Sequence, residues 1–326
     1  MHSTIDNSYM SACEICIFKK LKFFHKINKY RYYLCPNCQT LFLVPKPTVS
    51  QITKYYKKSF EYTAGETNEK EIRKRAKIIL KNFKRLNPNG KTLLDIGSGY
   101  GYFLDEARNF EYEIHGVEPS KTLYSTSIKR LIEVVITNMN FENYFSMYKL
   151  KKFDFITIIH TVEHVLNPKQ TLHKAIGLLN PGGILYIETP NVDSHLFRSE
   201  KYNYTFLTPP DHIWLFSKKS FKKMLGNNSG IRIERISSYS YPEHFMGILK
   251  RNFKYQISSI KSGKKIRKKT FSNLENLDLG FVWKLEIGNW KFFKYLLLDR
   301  IISPILTPFL NLGIYGSILE LYIRKK

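Results

Sequence analysis

Short apolar runs alternate with amphipathic stretches along most of the chain, and this rhythm predicts its elements. Lys70 to Leu86 carries Ile72, Ala76, Ile79, Leu80 and Phe83 at helical spacing, and Asn87-Pro88-Asn89-Gly90 ends that helix. Strand-like runs follow at Thr92–Ile96, Tyr112–Val117, Val134–Thr137 and Phe153–Ile159, separated by helix-compatible stretches over Gly101–Phe110 and Ser120–Leu131. Pro168 opens a helix ending near Leu179, and Asn180-Pro181-Gly182-Gly183 turns the chain into a fifth strand, Ile184–Glu188. A helix over Lys218–Leu225 leads to a sixth strand, Ile231–Ser237, and a last apolar run lies at Ile318–Ile323. These strands are too continuously apolar to face water on one side. Alternating with helices, they specify an α/β fold in which a parallel sheet is covered on both faces.

The pattern also divides the chain. Residues 1–45 form a small module, 46–90 a connector and helix, 91–242 the alternating core, 243–316 an insertion, and 317–326 the final strand. Within the first module, Cys13-x-x-Cys16 and Cys35-x-x-Cys38 are paired knuckles spaced for one tetrahedral metal site. Four thiolates close the shell of a Zn²⁺ and leave no open position, so the expected ion is structural, in a zinc ribbon. Its task is to fold a segment too short to bury a core of its own. A redox dithiol would need only one such pair.

Composition changes the picture in two places. All four cysteines of the 326 residues precede position 39, no secretory signal opens the chain, and no apolar run reaches the ~18 residues of a spanning helix. A cytoplasmic protein is therefore expected. The formal net charge of +25 points to a polyanion, although a Lys-, Ile-, Asn- and Tyr-rich composition also raises it. Part of the excess is concentrated. Lys250, Arg251, Lys254, Lys261, Lys264, Lys265, Arg267, Lys268 and Lys269 crowd a stretch without acids, and an aromatic, apolar run from Trp290 to Leu310 follows, broken by Pro304 and Pro308. A peripheral contact of 250–310 with an anionic membrane face, or with a lipid-linked substrate, fits that order. A helical lid or a dimer contact fits it equally.

The chemistry starts at Asp95-Ile96-Gly97-Ser98-Gly99-Tyr100-Gly101, a glycine-rich turn closing the first strand, with Glu118 at the end of the second. This is a β-α-β nucleotide-binding unit, its acid positioned for ribose hydroxyls. A dinucleotide fingerprint would need a third glycine at position 102, where Tyr102 stands. The D-x-G-x-G-x-G run instead resembles motif I of class I S-adenosylmethionine (SAM) methyltransferases. Further along lie Val162-Glu163-His164-Val165, Leu179-Asn180-Pro181-Gly182-Gly183 with Glu188-Thr189-Pro190-Asn191, and Pro210-Asp211-His212-Ile213-Trp214-Leu215-Phe216-Ser217. In this order they resemble the methyltransferases related to ubiquinone-biosynthesis O-methyltransferases, and in particular a branch acting on sugars and surface polysaccharides. The four-cysteine module is similar to that of deoxysugar C-methyltransferases. The resemblance spans about residues 10–240 and the last strand.

That resemblance implies a Rossmann-like seven-stranded methyltransferase sheet whose last strand inserts antiparallel beside the fifth, preceded by the zinc ribbon and interrupted by a helical insertion. It implies that Asp95, Gly97, Ser98, Gly99 and Gly101 shape the pocket for the methionine end of SAM, that Glu118 holds the ribose, that Asn138 to Phe141 lie near the adenine, and that His160 borders the sulfonium. Tyr55, Tyr56 or Tyr62 would close over the cofactor.

His212 is the candidate base, because histidine titrates near neutral pH and an in-line methyl transfer mainly needs an aligned, deprotonated acceptor. Its competing role is to cap or pack under the substrate loop. Glu163 and His164 are candidates for binding the acceptor or supporting the base. The sugar C-methyltransferases carry a Tyr-His-Glu-His run of which His212 alone remains, which favours an oxygen over a carbon acceptor on an activated sugar or glycan intermediate. His160-x-x-Glu163-His164 also matches the inverted zinc-protease pattern, but that pattern needs one continuous helix and here follows a β-rich run. The rival enzyme is a zinc-containing RNA methyltransferase, for which the aromatics from Tyr202 to Trp214 could stack on bases. A binding scaffold without activity is disfavoured by the intact glycine turn and its acid.

Overall fold

The computed structural model describes residues 12–52, 54–55, 69–131, 134–226, 230–241, 244 and 315–326. Most of the insertion expected at 243–316, its basic cluster and aromatic run included, lies outside the described residues, as do Tyr56 and Tyr62. The chain falls into two compact units. One comprises Met1–Val192, Phe206–Ser237 and Ile318–Lys326, the other Asp193–Thr205 and Ser238–Ser317.

The first unit holds the alternating core. Strands β4 (Thr92–Ile96), β5 (Glu113–Val117), β6 (Val135–Thr137), β7 (Phe153–Ile159) and β8 (Leu179–Pro190) alternate with α2 (Tyr102–Asn109), α3 (Lys121–Arg130), α4 (Phe141–Tyr148) and α5 (Pro168–Gly177). With β10 (Ile231–Tyr239) and β11 (Ile318–Lys325) they form a seven-stranded sheet in the order β10-β11-β8-β7-β4-β5-β6. β4 pairs parallel with both β5 and β7, and β11 runs antiparallel to β8 from Ile318↔Pro190 to Arg324↔Ile184. This is the Rossmann-like arrangement expected, with the last strand inserted beside the fifth strand of the core.

Helix α1 (Glu69–Leu86) covers one face by burying Ala76, Ile79, Leu80 and Phe83, the apolar stripe of its sequence. Phe83 stacks on Phe155 of β7 with ring centroids 4.5 Å apart and meets Tyr186 and Tyr322 edge-on. Each such buried ring stabilises by roughly 1.5–3 kcal/mol relative to exposure. Helix starts follow sequence chemistry. Ser120 and Asn140 accept the third residue's amide at α3 and α4, while Asn167 does so at α5 ahead of Pro168.

Two expectations needed adjustment. The Asn180–Gly183 turn lies inside β8, where β7 advances from Phe153 to Phe155 while β8 advances from Leu179 to Ile184. The four residues bulge out of register, Gly182 taking φ 77°, so the strand begins before the turn and not after it. Helix α4 was not foreseen, although Phe141, Tyr144 and Tyr148 repeat at helical spacing. Its first residue, Phe141, is the last of the 138–141 stretch that the resemblance places near the adenine.

The cysteine module makes a second sheet. Strands β1 (Lys22–Ile27), β2 (Tyr30–Leu34) and β3 (Leu41–Val44) form an antiparallel meander, and β3 pairs in turn with β9 (Trp214–Leu215). A strand from the far side of the sequence thus completes the module's sheet, just before α7 (Lys218–Leu225). In the second unit, α6 (His195–Glu200) is capped by Ser194, His195 donates its amide to the Tyr315 carbonyl at 3.0 Å, and Gly316 donates to Ser238 Oγ at 2.9 Å.

Candidate active site

The glycine turn sits at the carboxyl end of β4. Gly97 and Ser98 donate their amides to the Val117 carbonyl at 2.8 and 3.1 Å, which ties the turn to the end of β5. Gly97 has φ 79°, and a Cβ there would meet Thr161 Oγ1 at 2.3 Å. Gly99 has φ 55°, yet nothing lies within 4 Å of where its Cβ would be. Its side of the turn is therefore an open cradle. Gly101 donates to the Ser98 carbonyl at 2.9 Å and caps α2. The Ser98 hydroxyl is buried with no hydrogen-bond partner among the described residues. An open backbone cradle beside an unsatisfied hydroxyl fits a polar ligand lying on this turn.

Three side chains frame the cradle. Glu118 accepts from the Gly99 amide at 2.8 Å and from the Ser120 amide at 2.7 Å. Burial nevertheless raises its carboxyl, against those hydrogen bonds. Asp95 accepts from Thr157 Oγ1 at 2.6 Å, and burial, aided by the charge of Glu118, pushes it up to about 7. Asn138 donates to the Glu118 carbonyl at 2.8 Å, which brings the end of β6 alongside. Asp95, Gly97, Ser98, Gly99, Gly101, Glu118 and Asn138 thus lie together around the turn at the carboxyl ends of β4, β5 and β6.

The second cluster lies past β7 and β8. His160, at φ 46° just beyond β7, stands 3.4 Å from Glu163 Oε1 and 3.3 Å from Glu188 Oε1. Burial alone would lower its pKa, but the two carboxylates outweigh it and lift it to about 10. Glu188 continues the network to Arg75 of α1, whose Nε lies at 3.1 Å, and accepts from Tyr186. Glu163 is fully buried and accepts from Thr189 Oγ1 at 2.9 Å. His164 Nδ1 lies 2.9 Å from Asp211 Oδ1. Burial opposes its charge, but Asp211 and Glu163 raise it to about 9.

His212 completes this cluster, its ring 4.8 Å from that of His164. Burial and the neighbouring His164 charge hold its pKa below the ordinary histidine value. Nδ1 faces the Phe206 carbonyl at 2.7 Å, a contact only an N–H can make. A neutral ring in that tautomer keeps the lone pair on Nε2, as a base requires. Ligand atoms of Glu163, His164 and His212 also lie within 4.8 Å of one another, close enough to draw around one divalent cation.

The four cysteines converge as well. Cys13 and Cys38 sulfurs are 3.6 Å apart, those of Cys16 and Cys35 3.5 Å, and all four lie within 4.8 Å of one another. Zn–S bonds of ~2.3 Å place tetrahedral sulfurs at about this separation. The contact between the Cys13 and Cys38 sulfurs and burial raise the Cys13 thiol, while the same contact and Thr40 lower Cys38 against burial. The donor set fits Zn²⁺.

Sequence reasoning overlooked part of the site. Asp211, Glu188 and Thr189 stand inside quoted motifs without having been given roles. Arg75 and Tyr32 carried no local signal. Of the connector tyrosines only Tyr55 is described, and it feels the charge of Asp211 in the second cluster, which along with burial raises its pKa.

A family model described as a methyltransferase domain matches residues 67–234. The ubiquinone biosynthesis O-methyltransferase of Azoarcus sp. (strain BH72) is 25% identical over 160 residues, 47% of this chain and 69% of that protein. The protein of the same name from Coxiella burnetii (strain RSA 331 / Henzerling II) is 25% identical over 166 residues, 48% of this chain and 70% of its own. Among solved structures, the plantazolicin methyltransferase BpumL in complex with a triazolic desmethylPZN analog and SAH superposes with a TM-score of 0.51 at 16% identity, over 84% of this chain and 91% of that one. At that identity the likeness concerns the fold.

Proposed function

The chain belongs to the methyltransferase-domain family as a class I SAM-dependent methyltransferase, and from that membership we propose that it methylates a hydroxyl of an activated sugar or glycan intermediate, with His212 as the base. SAM would supply an electrophilic methyl group on a sulfonium. Asp95, Gly97, Ser98, Gly99 and Gly101 would hold its methionine end, Glu118 the ribose hydroxyls and Asn138 the adenine side. His160 would border the sulfonium, and its own positive charge is tolerable there because Glu163 and Glu188 flank it.

One observation carries the reading of the acceptor end. The His212 ring is buried, hydrogen-bonded through Nδ1 to Phe206, and biased toward its neutral form. Such a ring can take a proton from an acceptor hydroxyl through Nε2. His164 and Asp211 form an ion pair beside it, and Glu163 supplies a buried negative charge that would stabilise the imidazolium once formed. A neutral hydroxyl suits this arrangement. A carbon acceptor is disfavoured because His212 is all that remains of the Tyr-His-Glu-His run of the sugar C-methyltransferases. Four cysteines fitted to a structural Zn²⁺ would hold the N-terminal module together. Among the described residues no helix is long and apolar enough to cross a membrane.

The experiment is incubation of purified protein with methyl-labelled SAM and, separately, nucleotide sugars, glycolipid extract and RNA. Label is expected in the sugar or glycolipid fraction. Label confined to RNA would replace this reading by that of an RNA methyltransferase, whose binding should then weaken steeply with salt.

A further inference from the structure

The segment that carries His212 is held from two sides. On the core side, Ile213 and Trp214 donate their amides to the Glu163 carbonyl at 3.0 and 3.1 Å, and the Trp214 indole donates to the Val165 carbonyl at 2.9 Å. The other side is the cysteine module. Leu43 donates to the Ile213 carbonyl at 2.9 Å, Phe42 pairs with Trp214, and Leu41 with Leu215. At the far end, Ser217 Oγ and Ser220 Oγ both donate to the Cys38 carbonyl, at 2.8 and 3.2 Å. At the near end, Tyr32 Oη donates to the carbonyl of His212 itself at 2.8 Å.

Tyr32 is fully buried on β2, between the first cysteine knuckle and the second. A buried tyrosine aimed across the module at one backbone oxygen is more than core filling, since phenylalanine would fill the same space without a polar atom to satisfy. The β2–β3 pairing and the closure of the two knuckles fix where that hydroxyl lies. The hydroxyl in turn fixes the peptide plane from which the His212 side chain departs. The side chain's other anchor, Phe206, lies in the same segment and cannot by itself set the ring's place against Glu163 and His164.

We propose that the cysteine module is a working part of the transfer site, in which Tyr32 is the positioning residue for His212. This rests on the reading of His212 as the base. It assigns the module a role beyond its own folding: the knuckles hold a strut whose tip is one residue from the reacting proton. Losing the strut should allow the ring to drift and water to reach it, because proton transfer depends on placement to a fraction of an ångström.

The test is Tyr32→Phe, which removes one oxygen and keeps the ring. The probe is protein with ¹⁵N-labelled histidine, the His212 signals being identified by their disappearance in His212→Ala. In Tyr32→Phe the His212 signals should shift and its titration midpoint should rise by about half a unit as the ring gains access to water. Affinity for S-adenosylhomocysteine should stay within about twofold, since the glycine turn is untouched. Tyr30→Phe, an equally conservative change at the other buried tyrosine of β2, should leave His212 unmoved. Turnover on a nucleotide-sugar mixture should fall about tenfold in Tyr32→Phe, and the substitution should add nothing in a His212→Ala background. Unchanged His212 signals, an equal response to Tyr30→Phe, or additive losses in the double variant would each overturn the assignment. Full turnover of His212→Ala would instead remove the base reading, while the resonance experiment would still report the Tyr32 contact.

Discussion

Glu118 accepts the backbone amide of Gly99 at 2.8 Å, so the acid after β5 and the open glycine of the preceding turn share one edge of the cradle. A carboxylate held there by two amides is oriented before any ligand arrives, and that orientation is what a pair of ribose hydroxyls would use. Glu118→Ala removes both the acceptor and the tie to Gly99. SAM affinity measured by calorimetry should fall by about 10- to 100-fold, whereas Glu118→Gln, which keeps one acceptor oxygen, should lose less.

Gly97 and Gly99 should respond differently to alanine. Gly99→Ala meets no neighbour, so its cost is the left-handed backbone, about 1–2 kcal/mol, together with a methyl group projecting into the cradle. SAM affinity should suffer more than stability. Gly97→Ala collides with Thr161 at 2.3 Å and carries the same backbone penalty. Its melting temperature should drop further than that of Gly99→Ala. Differential scanning fluorimetry with and without SAM separates the two outcomes.

How far the sequence anticipated this geometry depends on the range of the interactions. Local patterns placed α1, the core strands and the final apolar strand, because each records burial in its own spacing, whereas the antiparallel direction of β11 came from the family resemblance. The glycine turn was legible for the same reason, since a turn and its φ angles are local. The histidine–carboxylate cluster was legible only in pieces. His160, Glu163, His164 and His212 were singled out, yet their balance of charge depends on Glu188 and Arg75, which arrive from another strand and another helix. Nothing near Tyr32 in sequence announces that it donates to His212, because that contact reaches from β2 to the segment just before β9, 180 positions away. The overlong β8 was missed because glycines and a proline signal a turn whether or not the ladder resumes around it.

Several titrating groups give opposite signs to the pH dependence of stability. His160, lifted to about 10, and His164, lifted to about 9, are charged in the fold and neutral above ~6.5 when unfolded. Their contribution is complete below that value and is lost as pH rises through 9 and then 10. Asp95, raised to about 7, acts in the same direction at lower pH, its contribution fading between its ordinary value and 7. Glu188, lowered to about 2, acts oppositely, stabilising above the ordinary carboxylate range and losing that effect as pH falls toward 2. Melting temperature should therefore peak in mildly acidic buffer and decline by several degrees from pH 7 to 10. His160→Gln should flatten the alkaline part of the curve; an unchanged slope would refute the assignment to His160.

Metal removal should reach beyond the cysteines. Cys38 offers its carbonyl to Ser217 and Ser220, the first residues of the α7 capping box, and its sulfur lies 3.0 Å from Thr40 Oγ1. Stripping the protein with a chelator, or replacing Cys35 by Ser, should lower the melting temperature and release about one zinc equivalent per chain, read with a colorimetric chelator. Trp214, buried against Phe42, should report the change. In a Trp283→Phe, Trp290→Phe background its emission should shift to the red. SAM binding, proposed for the glycine turn, should persist in protein that remains folded.

His212 sets the expected pH profile of the reaction. Its pKa lies below the ordinary histidine value because burial and the His164 cation both disfavour a second positive charge. The neutral ring, with Nε2 available, therefore predominates from mildly acidic pH upward. The ratio kcat/KM should rise through a midpoint below ~6.5 and then stay level through neutrality. Above about 9, His164 loses its proton, the cation beside His212 disappears, and His212 becomes easier to protonate at a pH where few protons remain, so the plateau should persist. His164→Gln removes the same cation at every pH. It should move the acid-side midpoint upward, toward the ordinary value, without abolishing turnover. His212→Ala should abolish the acid limb and lower kcat by about 10²- to 10⁴-fold while leaving SAM affinity nearly unchanged. A variant that kept both the limb and the rate would place the base elsewhere in the cluster, with Glu163 the next residue to replace.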